Sequence, residues 1–164
     1  MAQLDFEAVY SEHKENVWKL VSRYVFTRED REDLFQEAFI NIHKALPRFR
    51  GDAAVGTWIY RIAVNSALNH LKKRDRHRKA IKVLSTLRII ETEEPVASDE
   101  TLLEKPLARL NPRQRMIVML SDVEEKKLEE ISGLLSLPLG TVKSTLHRAR
   151  EILKKELSRD DRLQ

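Results

Sequence analysis

The sequence predicts an all-α protein made of two small helical domains. Three observations favour helices: only four of the 164 residues are glycine and five are proline, 34% are charged, and apolar residues recur at spacings of three and four. A sheet protein would need more turn residues. We predict a first domain over residues 1–85, a flexible acidic linker over 86–103 and a second domain over 104–164.

Two helices are predicted at the start of the first domain. Thr27, with Asp30 three positions later, resembles a capping box at the start of the second helix, and Pro47 stops that helix near Leu46. The first helix carries an apolar stripe that should face the core: Phe6, Val9, Tyr10, Val17, Leu20, Val21 and Tyr24.

A third helix should begin near Thr57 and run into a strongly basic segment. Gly51 and Gly56 loosen the backbone just before it, which predicts a bend bracketed by the two glycines. Residues 72–79, KKRDRHRK, hold six Lys or Arg against one Asp. The inward positions of this helix are predicted to be Ile59, Ile62, Ala63 and Ser66.

The acidic linker contrasts with this basic segment. Residues 91–100, ETEEPVASDE, hold five acids and no base, and they show no apolar period. Helical signals resume near Leu102, and the second domain should begin around Glu104. Basic and acidic segments are therefore kept apart along the chain.

The second domain opens with a clear helix start. Asn111 is the predicted cap, Pro112 the first helical residue and Gln114 the capping-box partner. LEEISGLL (128–135) should form a short helix, SLP (136–138) a turn, and residues 141–157 a longer helix. The predicted inward residues of that helix are Val142, Leu146, Ala149, Leu153 and Leu157.

A helix, a short turn and a basic helix form a helix-turn-helix, whose second helix enters the DNA major groove. Hydrogen-bond donors and cations on its outer face suit base edges and phosphates. The alternative is an ordinary helical hairpin with a solvated face. At 100° per residue, the outer face presents Thr141, Ser144, His147, Arg148 and Lys155, with Lys143 at its edge.

The third helix carries a second polar stripe. An aromatic ring, amides and cations in a row could stack on a base, bond to base edges and hold phosphates along a parted strand. Alternatively, Trp58 is a core residue that braces the bend, and the rest is a solvated face. The stripe consists of Trp58, Arg61, Asn65, Asn69, Lys72 and Arg76.

The second helix presents an acidic face opposite its apolar side. Asp33, Glu37 and Asn41 are spaced four apart, with Asp30 and Gln36 nearby. Such a face is unsuited to DNA and, taken alone, would be interpreted as solvated.

Two blocks of sequence resemble one family. LPLGTVKSTLHRAREIL resembles the helix with which bacterial sigma factors of the sigma-70 family, extracytoplasmic-function (ECF) group, read the upstream promoter element. DREDLFQEAFINIHKAL and RFRGDAAVGTWIYRIAVNSALNHLKKR resemble conserved region 2 of that group. Both blocks occur in the family's order and cover most of the chain. The resemblance implies an alternative sigma factor that binds core RNA polymerase, recognises minus-35 and minus-10 elements and traps the melted strand.

The resemblance also implies partners and site residues. The acidic face would dock a coiled coil of the polymerase largest subunit through Asp30, Asp33, Gln36, Glu37 and Asn41. The flap region of the second-largest subunit is a further implied partner. An anti-sigma factor is an implied partner. The acidic linker would thread through polymerase near the template-strand and RNA-exit channels.

DNA contacts follow from the same resemblance. The loop RFRGD would receive an extruded minus-10 base, and Asn65 and Asn69 align with base-reading positions. The implied minus-35 set is Thr141, Lys143, Ser144, His147, Arg148 and Lys155. The implied minus-10 set is Arg48, Phe49, Arg50, Asp52, Trp58, Arg61, Asn65, Asn69, Lys72, Lys73 and Arg76.

Three positions depart from the family pattern. Val55 and Gly56 stand where an aromatic or bulky pair is common, and Thr145 replaces a frequent Arg. The first departure concerns how the loop holds its base, and the second removes a phosphate contact.

Three rival interpretations remain. A sigma-factor mimic that occupies the inhibitor should lose its DNA-facing residues, and a plain helix-turn-helix repressor leaves residues 30–74 unexplained. An enzyme is not expected, since none of the GxSxG, GxxxxGK and HExxH motifs occurs.

Composition bounds the setting of the protein. The five histidines do not pair at metal-ligand spacing, so neither metal nor cofactor is expected. The sequence has no cysteine and no run of about 18 apolar residues, which is consistent with the cytoplasm and with no membrane insertion.

Overall fold

The computed structural model describes residues 4–91 and 104–160, and within these ranges it consists of helices and their connections. The all-α prediction is confirmed. Most of the predicted linker, including acidic residues 92–100, lies outside the described residues. The α-helices are α1 (Phe6–Tyr24), α2 (Arg28–Ala45), α3 (Val55–Thr86), α4 (Glu104–Ala108), α5 (Pro112–Val118), α6 (Leu128–Leu135) and α7 (Leu139–Asp160).

The chain divides into two compact units, Met1–Ala67 and Leu68–Gln164, and the division falls within α3. In the first unit α1 packs against α2. Their buried residues are Val9, Val17, Leu20, Val21 and Tyr24 from α1, and Leu34, Ala38, Phe39 and Ile42 from α2.

The predicted apolar stripe of α1 is only partly inside. Tyr10 is 38% exposed and Phe6 is half-buried, so the stripe reaches the surface at its start. From the inward set predicted for α3, Ile59, Ala63 and Ser66 are buried, whereas Ile62 is half-buried. These two helices therefore contribute smaller core faces than their periodicity predicts.

Local capping explains where the helices begin. The Thr27 side chain accepts a hydrogen bond from the Asp30 backbone N–H at 3.1 Å, as the sequence predicts for α2. At the start of α5, the Asn111 and Gln114 side chains each bond to the other's backbone N–H, which confirms the predicted capping box. These caps satisfy N–H groups that would otherwise lack partners.

The bend before α3 depends on one glycine. Gly51 has φ +78°, in the left-handed region that favours glycine, whereas Gly56 lies in the first turn of α3. The prediction that Gly56 closes the bend is wrong, because α3 begins at Val55, before Gly56 is reached. Pro47 lies in a 3-10 turn, Leu46–Arg48, that follows α2.

The second unit holds the helix-turn-helix. A π-helical turn, Met119–Val123, follows α5, and Ser136 adopts φ 53° between α6 and α7. The predicted bounds of the short helix, 128–135, are confirmed. The core of this unit is formed by Met116, Ile117, Leu120, Ile131, Val142, Leu146 and Ala149.

The apolar stripe of α7 ends sooner than predicted. Val142, Leu146 and Ala149 are buried, Leu153 is half-buried and Leu157 is 52% exposed. The prediction that Leu157 faces inward is wrong. A helix of 22 residues is about 33 Å long, so α7 extends well past the much shorter α5 and α6.

Candidate nucleic-acid interface

The polar stripe predicted on the third helix lies entirely on α3, a helix of 32 residues. From residue 58 to residue 76 it spans roughly 27 Å at 1.5 Å per residue. Arg61, Asn69 and Arg76 are exposed, and Asn65 and Lys72 are half-buried. The structure thus brings the predicted amides and cations together on one accessible helix face.

Asn65 also bonds to its own helix. Its Nδ2 donates to the Arg61 carbonyl oxygen at 2.9 Å. A base that accepted a hydrogen bond from the same amide hydrogen would have to compete with this carbonyl. Asn69, which is exposed, is therefore the more accessible of the two predicted base-reading amides.

Trp58, at the N-terminal end of the stripe, contacts the loop that precedes α3. Its ring lies 4.9 Å from the ring of Phe49, centroid to centroid, at an interplanar angle of 52°. Both side chains are half-buried, whereas Arg48, Arg50 and Asp52 are exposed. This contact supports the alternative in which Trp58 braces the bend, because the ring is already partnered within the protein.

The basic segment of α3 contains a local ion-pair cluster. Asp75 accepts from Arg78 Nη2 at 3.1 Å and lies 2.9 Å from Lys79 Nζ. The hydrogen bond from Lys79 is the main reason that the pKa of Asp75 lies below its ordinary value, partial burial opposes the shift, and Arg78 reinforces it. Lys73 and Arg76, on the same segment, are exposed cations suited to phosphates.

The acidic face of α2 is less uniform than its spacing predicts. Asp33 and Gln36 are exposed and Glu37 is half-buried. The Asp30 carboxylate accepts a hydrogen bond from the Thr27 hydroxyl at the helix start. Asn41 is half-buried, and its Nδ2 donates to the Ser66 hydroxyl of α3 at 2.9 Å. Asp33 and Gln36 are thus the most accessible members of the acidic face.

Beside this face lies an aromatic groove that the sequence analysis did not identify. The rings of Tyr10 and Phe39 are 4.8 Å apart and those of Trp18 and Phe35 are 5.6 Å apart, centroid to centroid. The groove encloses about 610 Å³ and is lined in part by Gln36. Apolar periodicity placed Tyr10 in the core, but the tertiary packing leaves Tyr10 38% and Trp18 37% exposed, while Phe39 is buried.

Four of the residues that were predicted to face outward on α7 are exposed at its start. Lys143, Ser144, His147 and Arg148 are exposed on its first turns, where base edges would be met. Thr141 is half-buried, and its carbonyl accepts from the Ser144 hydroxyl at 3.2 Å.

Lys155 lies apart from that group. It follows Arg148 by seven residues, or roughly 10 Å along the helix. There it borders a surface shared with Lys154, Ser158 and Arg159. The structure therefore separates Lys155 from the cluster at the start of α7.

A paired Asp and Arg, which sequence reasoning missed, connect α7 to the turn after α5. Arg150 donates to the two carboxylate oxygens of Asp122, from Nη2 at 2.6 Å and from Nε at 3.1 Å. This hydrogen bonding is the main cause of the lowered pKa of Asp122 and the raised pKa of Arg150. The partners are 28 positions apart, so no local spacing signals the contact.

Among residues 4–91 and 104–160, there is no group of three or more His, Cys, Asp or Glu side chains that could hold a metal ion. Within the same ranges, every helix is too short or too polar to cross a bilayer.

A helix-turn-helix with an exposed cationic face, joined in one chain to a long amide- and cation-bearing helix, defines a helical nucleic-acid-binding protein. Residues 9–77 match the family described as Sigma-70 region 2, and residues 101–153 match Sigma-70, region 4. The chain is 33% identical to the RNA polymerase sigma-H factor of Pseudomonas aeruginosa, over 93% of its own length and 86% of the relative's. It is 35% identical to the ECF RNA polymerase sigma-E factor of Escherichia coli, over 92% and 85% of the two lengths.

The chain belongs to the sigma-70 family, in the ECF group, and is an alternative sigma factor that directs promoter-specific transcription initiation with RNA polymerase. The predicted resemblance is confirmed. Because the region 2 match covers residues 9–77, the interpretation as a plain helix-turn-helix repressor is wrong.

Two solved structures share the fold. CnrH, solved with the cytosolic domain of CnrY, superposes with a TM-score of 0.60 at 22% identity, covering 94% of this chain and 88% of CnrH. The sigma factor RpoE of Bartonella quintana, solved with the anti-sigma factor NepR, gives 0.59 at 19% identity, covering 94% and 97%.

Proposed function

We propose that this sigma factor works as two domains, residues 1–85 and 104–164, joined by the acidic linker 86–103. The first domain docks core polymerase through α2 and holds the melted minus-10 strand along α3. The second domain reads the minus-35 element through α7. The acidic linker threads through polymerase, where its negative charge can imitate nucleic acid.

One observation carries this proposal. Arg61, Asn65, Asn69, Lys72 and Arg76 follow one another on a single uninterrupted helix, and none of them is buried. Amides can bond to base edges and cations can hold phosphates, so such a row can follow an unpaired strand. A buried structural face would not need this combination of side chains.

The loop before α3 completes the minus-10 site in this proposal. Arg48, Arg50 and Asp52, which flank Gly51 in the sequence, are exposed. The Phe49–Trp58 contact joins this loop to α3. Extruding a base costs a few kcal/mol, which contacts worth about 1–3 kcal/mol per base could offset. Lys73, beside the stripe, adds a further phosphate contact.

Polymerase docking is assigned to the α2 surface. The carboxylates of Asp30, Asp33 and Glu37, with the amide of Gln36, complement a basic coiled coil of the largest subunit. The exposed aromatic groove adjoins Gln36 and extends this surface, because exposed apolar patches mark protein interfaces. The second domain contacts the flap region of the second-largest subunit.

Minus-35 recognition is assigned to the start of α7. Lys143, Ser144, His147 and Arg148 would meet bases and phosphates in the major groove, and Thr141 begins the same face. Lys155 would contact the DNA backbone further along.

Regulation and location follow from the same interpretation. We infer that an anti-sigma factor binds this chain, since its structural neighbours CnrH and RpoE were solved with CnrY and NepR. We also place the protein in the cytoplasm, where core polymerase and promoters are found, and we expect no cofactor, no membrane insertion and no catalysis by this chain alone.

Run-off transcription tests the proposal. Core polymerase with this protein should transcribe a defined subset of genomic fragments, whereas core polymerase alone should not. A sigma-factor mimic would instead leave the transcript pattern unchanged. Failure to support any promoter-specific transcript would refute the proposal.

A further inference from the structure

A polar contact joins α2 to α3 between Ser66, which was predicted to face inward, and Asn41, which was predicted to contact polymerase. Asn41 Nδ2 lies 2.9 Å from Ser66 Oγ. Ser66 is 2% exposed, and the neighbouring buried residues of the two helices, Ile42, Ala63 and Ala67, are apolar. The contact is therefore a directional bond within an apolar surrounding.

The direction of the bond follows from the donors available. The Ser66 hydroxyl donates its one hydrogen to the Ile62 carbonyl at 2.8 Å. Its oxygen can then only accept from α2, so the amide NH₂ of Asn41 must face it. Neither side chain can be replaced by an apolar one without losing the bond.

This bond can fix the rotation of α3 about its own axis. Apolar contacts are non-directional and tolerate small rotations or slides, whereas a hydrogen bond weakens steeply away from its preferred distance and angle. Ser66 follows Asn65 directly and precedes Asn69 by less than one turn, so a rotation that displaces Ser66 displaces both amides. The position of Ser66 thus determines the direction in which the Asn65 and Asn69 amides face.

We propose that Asn41 and Ser66 are positioning residues for minus-10 recognition: their hydrogen bond holds α3 on α2 in the rotation that aims Asn65 and Asn69 at the unpaired strand. The inference rests on the proposed function of the α3 stripe. It assigns Asn41 to the alignment of α3 instead of to the polymerase contact expected from its spacing.

The test compares holoenzymes that carry Asn41→Leu, Ser66→Ala or both changes. The probe is a single-stranded oligonucleotide with the non-template minus-10 sequence of a promoter found by run-off transcription. A second oligonucleotide has those bases substituted. The ratio of the two affinities should fall about 2- to 10-fold in each variant, as expected for one net hydrogen bond. The double variant should be no worse than either single one.

Controls separate positioning from simple destabilisation. An unfolded fraction lowers binding to both oligonucleotides equally and leaves their ratio unchanged. Ser22→Ala removes a matched bond, from a hydroxyl to the Trp18 carbonyl at 2.7 Å on α1, and should preserve the ratio. Ser66→Thr retains the hydroxyl and should also preserve it.

Distinct results overturn the inference and the proposed function. If the wild-type affinity ratio of the two oligonucleotides is above one and is unchanged in both variants, the inference is wrong and the proposed function stands. A loss of core-polymerase affinity in Asn41→Leu but not in Ser66→Ala also overturns it, because Asn41 would then touch polymerase. A wild-type ratio of one would overturn the proposed minus-10 function and the inference with it.

Discussion

Arg150 donates two parallel hydrogen bonds to Asp122, at 2.6 and 3.1 Å, and these bonds connect α7 to the π-helical turn that follows α5. Arg150 follows Arg148 by two residues, so one side chain anchors the helix while the other faces outward. The pairing holds α7 at a position two residues beyond Arg148, at the end of its Lys143–Arg148 face. We expect it to steady that face against the rest of the domain.

The Asp122–Arg150 pair should make stability depend on pH in the acidic range. The pKa of Asp122 is 3.8 in the absence of partners and lower in the folded protein. The contribution of Asp122 to the free energy of unfolding is therefore fully present above pH 3.8. It is lost as the pH falls through the pKa of the folded protein. Both partners are partly exposed, which limits the contribution to about 0.5–1 kcal/mol.

Urea unfolding of the wild type and of Asp122→Asn at a series of pH values measures this effect. The wild type should be more stable above pH 5, and the difference should shrink toward zero in stronger acid. Equal stabilities at every pH would show that the pair contributes nothing.

Gly51 and Gly56 should respond oppositely to alanine. Gly51→Ala should destabilise the protein by about 1 kcal/mol, because Gly51 has φ +78° and a side chain there is strained despite open space around it. Gly56→Ala should stabilise it by up to about 1 kcal/mol, since alanine is the better helix former. The new Cβ would meet His13 Cε1 at 3.7 Å, an ordinary contact. Thermal unfolding of both variants checks the contrast, and a shift of the same sign in both would refute it.

Asp33→Lys should disrupt docking to polymerase. Asp33 is exposed on α2, and reversal of its charge would oppose a basic partner surface. In a pull-down with core polymerase, the retained sigma factor should fall at least about 10-fold, as expected if a charge pair worth more than 1.4 kcal/mol is reversed. Glu15→Lys, the same reversal at an exposed site on α1, should bind normally. Unchanged affinity of Asp33→Lys would leave the acidic face without a docking role.

Arg148→Ala should weaken recognition of the minus-35 element. Loss of one cation or one base contact costs about 1–3 kcal/mol, or roughly 5- to 150-fold in affinity. Filter binding of the holoenzyme should show this loss on an intact promoter and little of it when the minus-35 element is replaced. Arg159→Ala, near the end of α7, is the control. Equal binding by wild type and Arg148→Ala would remove Arg148 from the DNA surface.

Local sequence rules predicted much of the fold. Helix starts at Thr27 and Asn111 were predicted correctly because a cap depends on residues within three positions of it. The bounds of α6 were also predicted, since apolar periodicity and turn residues coincide there.

Errors arose where packing between distant segments decides the outcome. Periodicity gave Leu157 and Tyr10 inward directions, but it carries no information on how far a neighbouring helix extends. Similarly, the Phe49–Trp58, Asn41–Ser66 and Asp122–Arg150 contacts join residues that only tertiary structure brings together. The site stripes themselves could be predicted, because each one lies on a single helix.

Permanganate reactivity of minus-10 thymines tests the central claim most directly, since it reports unpaired bases in a promoter opened by the holoenzyme. If α3 holds the parted strand, Asn69→Ala should lower that reactivity about 10-fold, the effect of losing one good base contact. Thr86→Ala, at the far end of the same helix, should leave it unchanged. Wild-type reactivity in a variant that lacks both the Asn65 and Asn69 amides would contradict the claim.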